Sequence, residues 1–173
     1  IYSVPGTVML TEQQMPGGRY AKWKAFLKPA PAGGNFTVSV SCAGCTNTTK
    51  ATISDVTFGD VWFCSGQSNM AFLLENAFNG SELVQDANNH PHLRMMTTRK
   101  TTAGAPLRDL LGPLPLPWAV SSNVSVSDDG KAQLGAGSST GSADDNWLYM
   151  SAVCYLFGLN IHKARGYPVG LIN

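Results

Sequence analysis

The chain has 173 residues, 43% of them hydrophobic, which is enough for one sizeable core or one domain plus part of another. Only 13% are charged and the formal net charge is +1, so there is no electrostatic footprint for nucleic acid or an anionic membrane. No apolar run approaches the ~20 residues that span a bilayer.

In chain order, the first fifty residues carry an antiparallel β pattern. "RYAKWKAFLK" alternates so that Trp23 and Leu27 would share an inward face. "PAPAGG" (Pro29 to Gly34) is a turn, and "NFTVSVSC" alternates again through Phe36, Val38 and Val40. The pattern changes near Val56, after which apolar strands are followed by helical stretches, as in a parallel α/β layer. This places a partial β-rich domain at 1–55 and the start of an α/β domain at 56–173.

Within the second part, "VWFC" is a buried strand that stops at Ser65-Gly66-Gln67-Ser68-Asn69. Asn69 to Phe78 then predicts a helix, with Asn79-Gly80 as its stop. "HLRMMTT" is a strand, and "LGPLPLPWAV" an ordered extended segment anchored by Trp118. Ser121 to Asn146 is a long surface loop. Trp147 to Arg165 is the clearest helix, with an apolar stripe of Met150, Val153, Cys154, Phe157 and Ile161. Gly166 ends it, and "YPVGLIN" enters a buried strand.

Four Asn-x-Ser/Thr sequons, at Asn35, Asn47, Asn79 and Asn123, sit in predicted turns or strand edges. They point to the secretory pathway, extracellular or lysosomal, with Asn79 the favoured glycan site. Cys42 and Cys45 fit a disulfide staple at a hairpin tip, since a zinc site would need a second ligand pair. Cys64 and Cys154 are open between a disulfide and two buried thiols.

Ser68 sits where a strand turns abruptly toward a helix. A serine hydroxyl becomes a nucleophile once a base takes its proton and donors receive the oxyanion, and a helix N-terminus offers unpaired N–H groups for that purpose. The competing role is plain: Ser68 or Asn69 simply caps the helix.

"FGDVWFCSGQSNM" resembles the nucleophile block of the sialate O-acetylesterase family, within the SGNH hydrolase superfamily. "YMSAVCYLFGLNIHKARGYPVGLI" resembles that family's next helix and strand, and "FLKPAPAGGNFTVSV" the β-domain that precedes its catalytic domain. The resemblance implies an SGNH-type, flavodoxin-like parallel sheet, incomplete in this chain, and a cofactor-free serine esterase acting on O-acetylated sialic acid or another glycan. Ser68 would be the nucleophile and its N–H an oxyanion donor, with Gly66, Gln67 and Asn69 shaping the turn.

The family's base belongs to a late Asp-x-x-His, and none of His90, His92 or His162 has Asp or Glu three residues before it. His90 and His92 flank Pro91 in a predicted loop, and His162 lies near a helix C-terminus. A second segment of the same precursor is therefore expected to carry the base and the remaining oxyanion donors. The alternatives are a non-catalytic glycan-binding or structural protein that keeps the fold, and an acetylesterase for other carbohydrates.

Overall fold

The computed structural model describes residues 9–15, 18–24, 26–27, 29–41, 50–98, 102–107, 109–110, 113–127 and 149–173. The chain divides into two compact units, Ile1–Pro31 and Ala32–Asn173.

The first unit holds the antiparallel pair β1 (Met9–Met15) and β2 (Gly18–Lys24), in register from Met9 opposite Lys24 to Met15 opposite Gly18. β2 stops before Leu27, which is exposed instead of sharing an inward face. The side chain of Trp23 lies outside the described residues, as do Cys42, Cys45 and Asn47.

The second unit opens with the antiparallel hairpin β3 (Gly33–Ser41) and β4 (Lys50–Phe58). The expected turn at Pro29 to Gly34 is shorter, because β3 already begins at Gly33, which pairs with Phe58. Register shifts between Gly33 and Phe36 and between Phe36 and Val38 mark an irregular ladder, and Asp55, opposite that stretch, takes a left-handed φ of 55°. Its carboxylate accepts a hydrogen bond from Arg94 at 2.9 Å, joining the hairpin to the next sheet.

That sheet has four strands: β5 (Asp60–Phe63), β6 (Leu93–Thr97), β7 (Leu116–Val120) and β8 (Val169–Ile172), in the order β5-β8-β6-β7. β5, β8 and β6 are parallel, and β7 runs antiparallel to β6. The layer is thus mixed α/β with a parallel core, and the parallel expectation holds for three of its four strands. Leu93, Met95, Val169 and Leu171 alternate onto one buried face, as period-two geometry requires.

Helix α1 spans Gly80–Asp86, α2 spans Asn123–Val126 and α3 spans Ala152–Arg165. α3 packs on the buried face. A Cβ on Gly158 would come within 2.6 Å of the Leu171 side chain, so glycine allows the helix to approach β8 closely. Ser151 caps its N-terminus by accepting from the Cys154 amide, and Gly166 ends it in a left-handed conformation at φ 71°, with its N–H bonded to the His162 carbonyl.

Several expectations are corrected here. The helix starts at Ala152, not Trp147, and its buried face is Ala152, Cys154, Tyr155, Gly158 and Leu159. Val153 and Phe157 are 49% and 41% exposed, although Phe157 packs edge-on against Trp62 at 5.1 Å. The stripe was offset because it was phased from Met150, which precedes the helix. Asn79-Gly80 is not a helix stop: Asn79, at φ 56°, is the residue from which α1 departs. Trp118 is 51% exposed, and the buried anchor of its segment is Leu116. The strand expected to be buried at "VWFC" is exposed from Asp60 to Phe63, because β5 is the edge strand of its sheet. Ser121 and the α2 residues Ser125 and Val126 are buried within what was expected to be surface loop.

Candidate active site

β5 ends at Phe63, and Cys64 extends the parallel ladder by one bond, its N–H donating to the Ile172 carbonyl at 2.7 Å. Ser65 to Asn69 then leave the sheet, and all five are exposed. A tight turn is possible because a Cβ on Gly66 would lie 2.7 Å from Met70 Cγ, a distance side chains do not tolerate.

Ser68 opens a four-residue 3₁₀ turn, Ser68–Ala71. The expected helix over 69–78 is absent: a second 3₁₀ turn covers Leu74–Asn76, with Phe72 and Leu73 extended between the two. Tertiary pairing overrides local propensity at this point. The Phe72 carbonyl accepts from the Ala152 amide at 2.8 Å, and Leu73 forms an antiparallel bridge with Ser151. A continuing helix would have withdrawn both groups from those bonds.

Neither Ser68 nor Asn69 is a cap. Gln67 holds the capping position and contributes no side-chain bond. Among the described residues nothing hydrogen-bonds the Ser68 hydroxyl. The first amide of the turn to find a backbone acceptor is that of Met70, bonded to the Gln67 carbonyl at 2.8 Å. The amides of Ser68 and Asn69 therefore stay open, as they do at any helical start. An exposed, uncommitted hydroxyl beside open amides sits beyond the carboxyl end of a parallel strand, where open α/β sheets bind their ligands.

A disulfide between Cys64 and Cys154, 90 residues apart, closes the alternative of two buried thiols.

The three histidines gather at the other end of the sheet. His90 and His92 precede β6, and the His92 carbonyl accepts from the Val169 amide at the start of β8. The His162 ring bonds the Tyr167 carbonyl through Nδ1 at 2.7 Å and lies 6.3 Å from His90 and 6.1 Å from His92, centre to centre. Asp86 bonds His90 Nε2 at 2.8 Å, and bonds from Asn89 and His90 hold its carboxyl below the usual carboxylate range. The predicted loop histidines are thus part of a structured cluster, and none is placed as a base for Ser68. Among the described residues no group of three histidines, cysteines or carboxylates could hold a metal ion.

A cleft of 560 Å³ lies between β4 and the amino end of the sheet, lined in part by Ile53, Asp55, Arg94, Trp118 and Pro168. Among the described residues it holds one ion pair, Asp55 with Arg94. Of the sequon asparagines, Asn35 and Asn79 are exposed, and Asn123 is half-buried with its N–H bonded to Asn88.

No family model matches the chain. Curated relatives do. It is 35% identical to the sialate O-acetylesterase of Rattus norvegicus and 31% identical to that of Homo sapiens, in each case over 87% of the chain and 25% of the relative. Over this stretch the chain is similar to the sialate O-acetylesterases. It spans about a quarter of the length of these relatives. Its fold is similar to that of a carbohydrate acetylesterase from Xanthomonas citri, with a TM-score of 0.63 and 23% identity over 99% of this chain and 34% of that one.

Sequence reasoning missed the role of Ser151. The signal was present in "MSAVCY", a serine directly before an apolar helical start, which is the ordinary mark of an N-cap. It also missed the histidine cluster, because residues 70 positions apart show no periodic signal.

Proposed function

We propose that the chain supplies the nucleophile of a serine esterase that removes O-acetyl groups from sialic acids on glycans. The observation that carries this reading is the uncommitted, exposed Ser68 hydroxyl beyond the carboxyl end of β5. Homology to sialate O-acetylesterases supports the substrate class. Ser68 Oγ attacks the acetyl carbonyl, and the Ser68 N–H stabilises the resulting oxyanion. The tetrahedral adduct collapses to an acetyl-enzyme and releases the sugar hydroxyl, and water then returns acetate and free serine. Gly66, Gln67 and Asn69 shape the turn.

All three histidines of the chain lie at the amino end of the sheet. The base is therefore proposed to be the Asp-x-x-His of a segment outside this chain, one that also brings further oxyanion donors. Relatives about four times as long leave room for it. The SGNH type of fold is part of this proposal and rests on the motif. In a flavodoxin-like order the first strand lies between the second and third, whereas here β8 lies between β5 and β6. The division into 1–55 and 56–173 is likewise proposed. The disulfide and the sequons support a secretory origin, extracellular or lysosomal. Among the described residues no helix is long and apolar enough to cross a membrane.

The placement of the histidines also favours a second reading, a glycan-binding protein that has kept the fold without the chemistry. One experiment separates the two. A fluorophosphonate probe applied to the natural polypeptide labels Ser68, and Ser68→Ala abolishes both labelling and release of acetate from O-acetylated sialic acid. Unlabelled Ser68 in folded protein would favour the binding reading.

A further inference from the structure

The turn that carries Ser68 is tied at both ends to one place, the first turn of α3. At its start, Cys64 is bonded through sulfur to Cys154, which is buried in that helical turn. At its end, the Phe72 carbonyl and Leu73 pair with Ala152 and Ser151. Between these ties Ser151 does two things. Its hydroxyl oxygen accepts from the Cys154 amide at 3.4 Å, and its O–H lies 4.0 Å from the Met70 sulfur, inside the Ser68 turn. Ser151 is 1% exposed, so this hydroxyl is committed to the junction. The stretch from Ser65 to Asn69, by contrast, is exposed throughout, and among the described residues its backbone bonds are two, the Gln67 carbonyl accepting from Met70 and the Asn69 carbonyl from Phe72.

A short exposed loop with two short-range backbone bonds does not hold a side chain to the tolerance that acyl transfer demands. The junction outside it does. We propose that Cys64, Cys154 and Ser151 are positioning residues that fix the Ser68 hydroxyl and amide, with the start of α3 as their platform. This rests on Ser68 being the nucleophile. None of the three touches substrate. Their loss should lower kcat and the rate of probe labelling while leaving KM nearly unchanged, because the exposed surface that meets the glycan is intact.

The test uses the natural polypeptide. Treating the folded enzyme with a phosphine reductant converts the Cys64–Cys154 disulfide to two thiols, and reoxidation restores it. Cys64→Ser with Cys154→Ser removes it permanently. Both are expected to reduce kcat by about 10- to 100-fold, with KM within about twofold, at temperatures where circular dichroism shows the fold intact. Ser151→Ala should fall in the same direction, and Ser151→Thr, which keeps the hydroxyl, should recover most of the loss. Ser122→Ala is the control. It removes a helix cap at the opposite end of the sheet and should lower the melting temperature without changing kcat. Should the cysteine variants and the reduced enzyme melt earlier yet keep kcat, the junction stabilises but does not position, and the proposal falls. A Ser68→Ala enzyme that stays active overturns the nucleophile reading itself, a result no junction variant can imitate.

Discussion

The two ends of the parallel sheet are built on opposite terms. At the amino end the polar side chains are paired. Asp86 bonds both Asn89 and His90, the His162 ring bonds the Tyr167 carbonyl, and the buried Ser121 hydroxyl donates to the Ala87 carbonyl beside Tyr155. At the carboxyl end Thr98, Asn173 and Ser151 are paired as well, but among the described residues Ser68 is exposed with its hydroxyl uncommitted, and Thr97, fully buried at the end of β6, has no hydrogen-bond partner for its hydroxyl. Folded chains satisfy buried polar groups almost everywhere, so the Thr97 hydroxyl is an exception, while the exposed Ser68 hydroxyl is open to solvent. One end of this sheet is arranged to hold together, the other to meet something.

The largest effect should come from the residue that serves both ends. Leu171 is fully buried in β8, between β5 and β6 and beneath Gly158 of α3. Leu171→Ala should destabilise the protein by about 3–5 kcal/mol through lost burial and the cavity left behind. Hydrogen exchange should quicken at the Cys64 amide and the Val169 amide together. Faster exchange at one end alone would mean that the two ends are separate cooperative units.

Ser122→Ala acts on the amino end only. Ser122 and Ser125 form a reciprocal capping box at the start of α2. Its loss should cost about 1 kcal/mol in chemical denaturation. A cost near zero would show that α2 is held by the burial of Val126 and not by its cap.

The pattern of what could be foreseen follows the same division. The strands β6 and β8, the end of α3 at Gly166 and the exposed turn at Ser68 were legible, because each depends on local apolar runs and turn residues. β5 was legible as a strand but not as an exposed one, since its apolar run does not show that it lies at a sheet edge. The route from Ser68 to Asn79 was not. No local signal shows that Phe72 and Leu73 give up helical bonds to pair with Ala152 and Ser151, some 80 residues away. The stripe of α3 failed for a related reason: Met150 is buried, but in the chain that leads into the helix, so it set the wrong phase. Of the site, Ser68 as the proposed nucleophile rests on the motif, whereas sequence leaves open the disulfide between Cys64 and Cys154. Two cysteines at element ends are equally consistent with free thiols until their elements are seen to meet.

A smaller effect is expected at Asp86, where pH reports on the amino end. The bond from Asn89, then that from His90, hold the folded carboxyl below its ordinary value. The folded state therefore binds this proton less readily than the unfolded chain. The pair contributes stability above the ordinary carboxylate range, and that contribution is lost as pH falls through the depressed value. Because Asp86 is largely exposed, the contribution is well under about 1 kcal/mol. Asp86→Asn should flatten the acid limb of the stability curve and leave stability at neutral pH nearly unchanged. An acid limb of unaltered slope would assign that limb to other carboxylates.

The smallest effect, and the most informative in sign, belongs to Thr97. A buried hydroxyl with no partner loses its bonds to water and gains none in return, so its removal should not cost what polar deletions usually cost. Val has nearly the same shape. Thr97→Val should leave stability unchanged or raise it by up to about 1 kcal/mol, the reverse of Ser122→Ala at the other end. A loss of more than about 1 kcal/mol would show that the hydroxyl is bonded in the natural polypeptide, to water or to a segment outside the described residues. Thr97 Oγ1 would then have served as an acceptor or donor for whatever completes the carboxyl end. The contrast between the two ends would then rest on the exposed Ser68 hydroxyl alone.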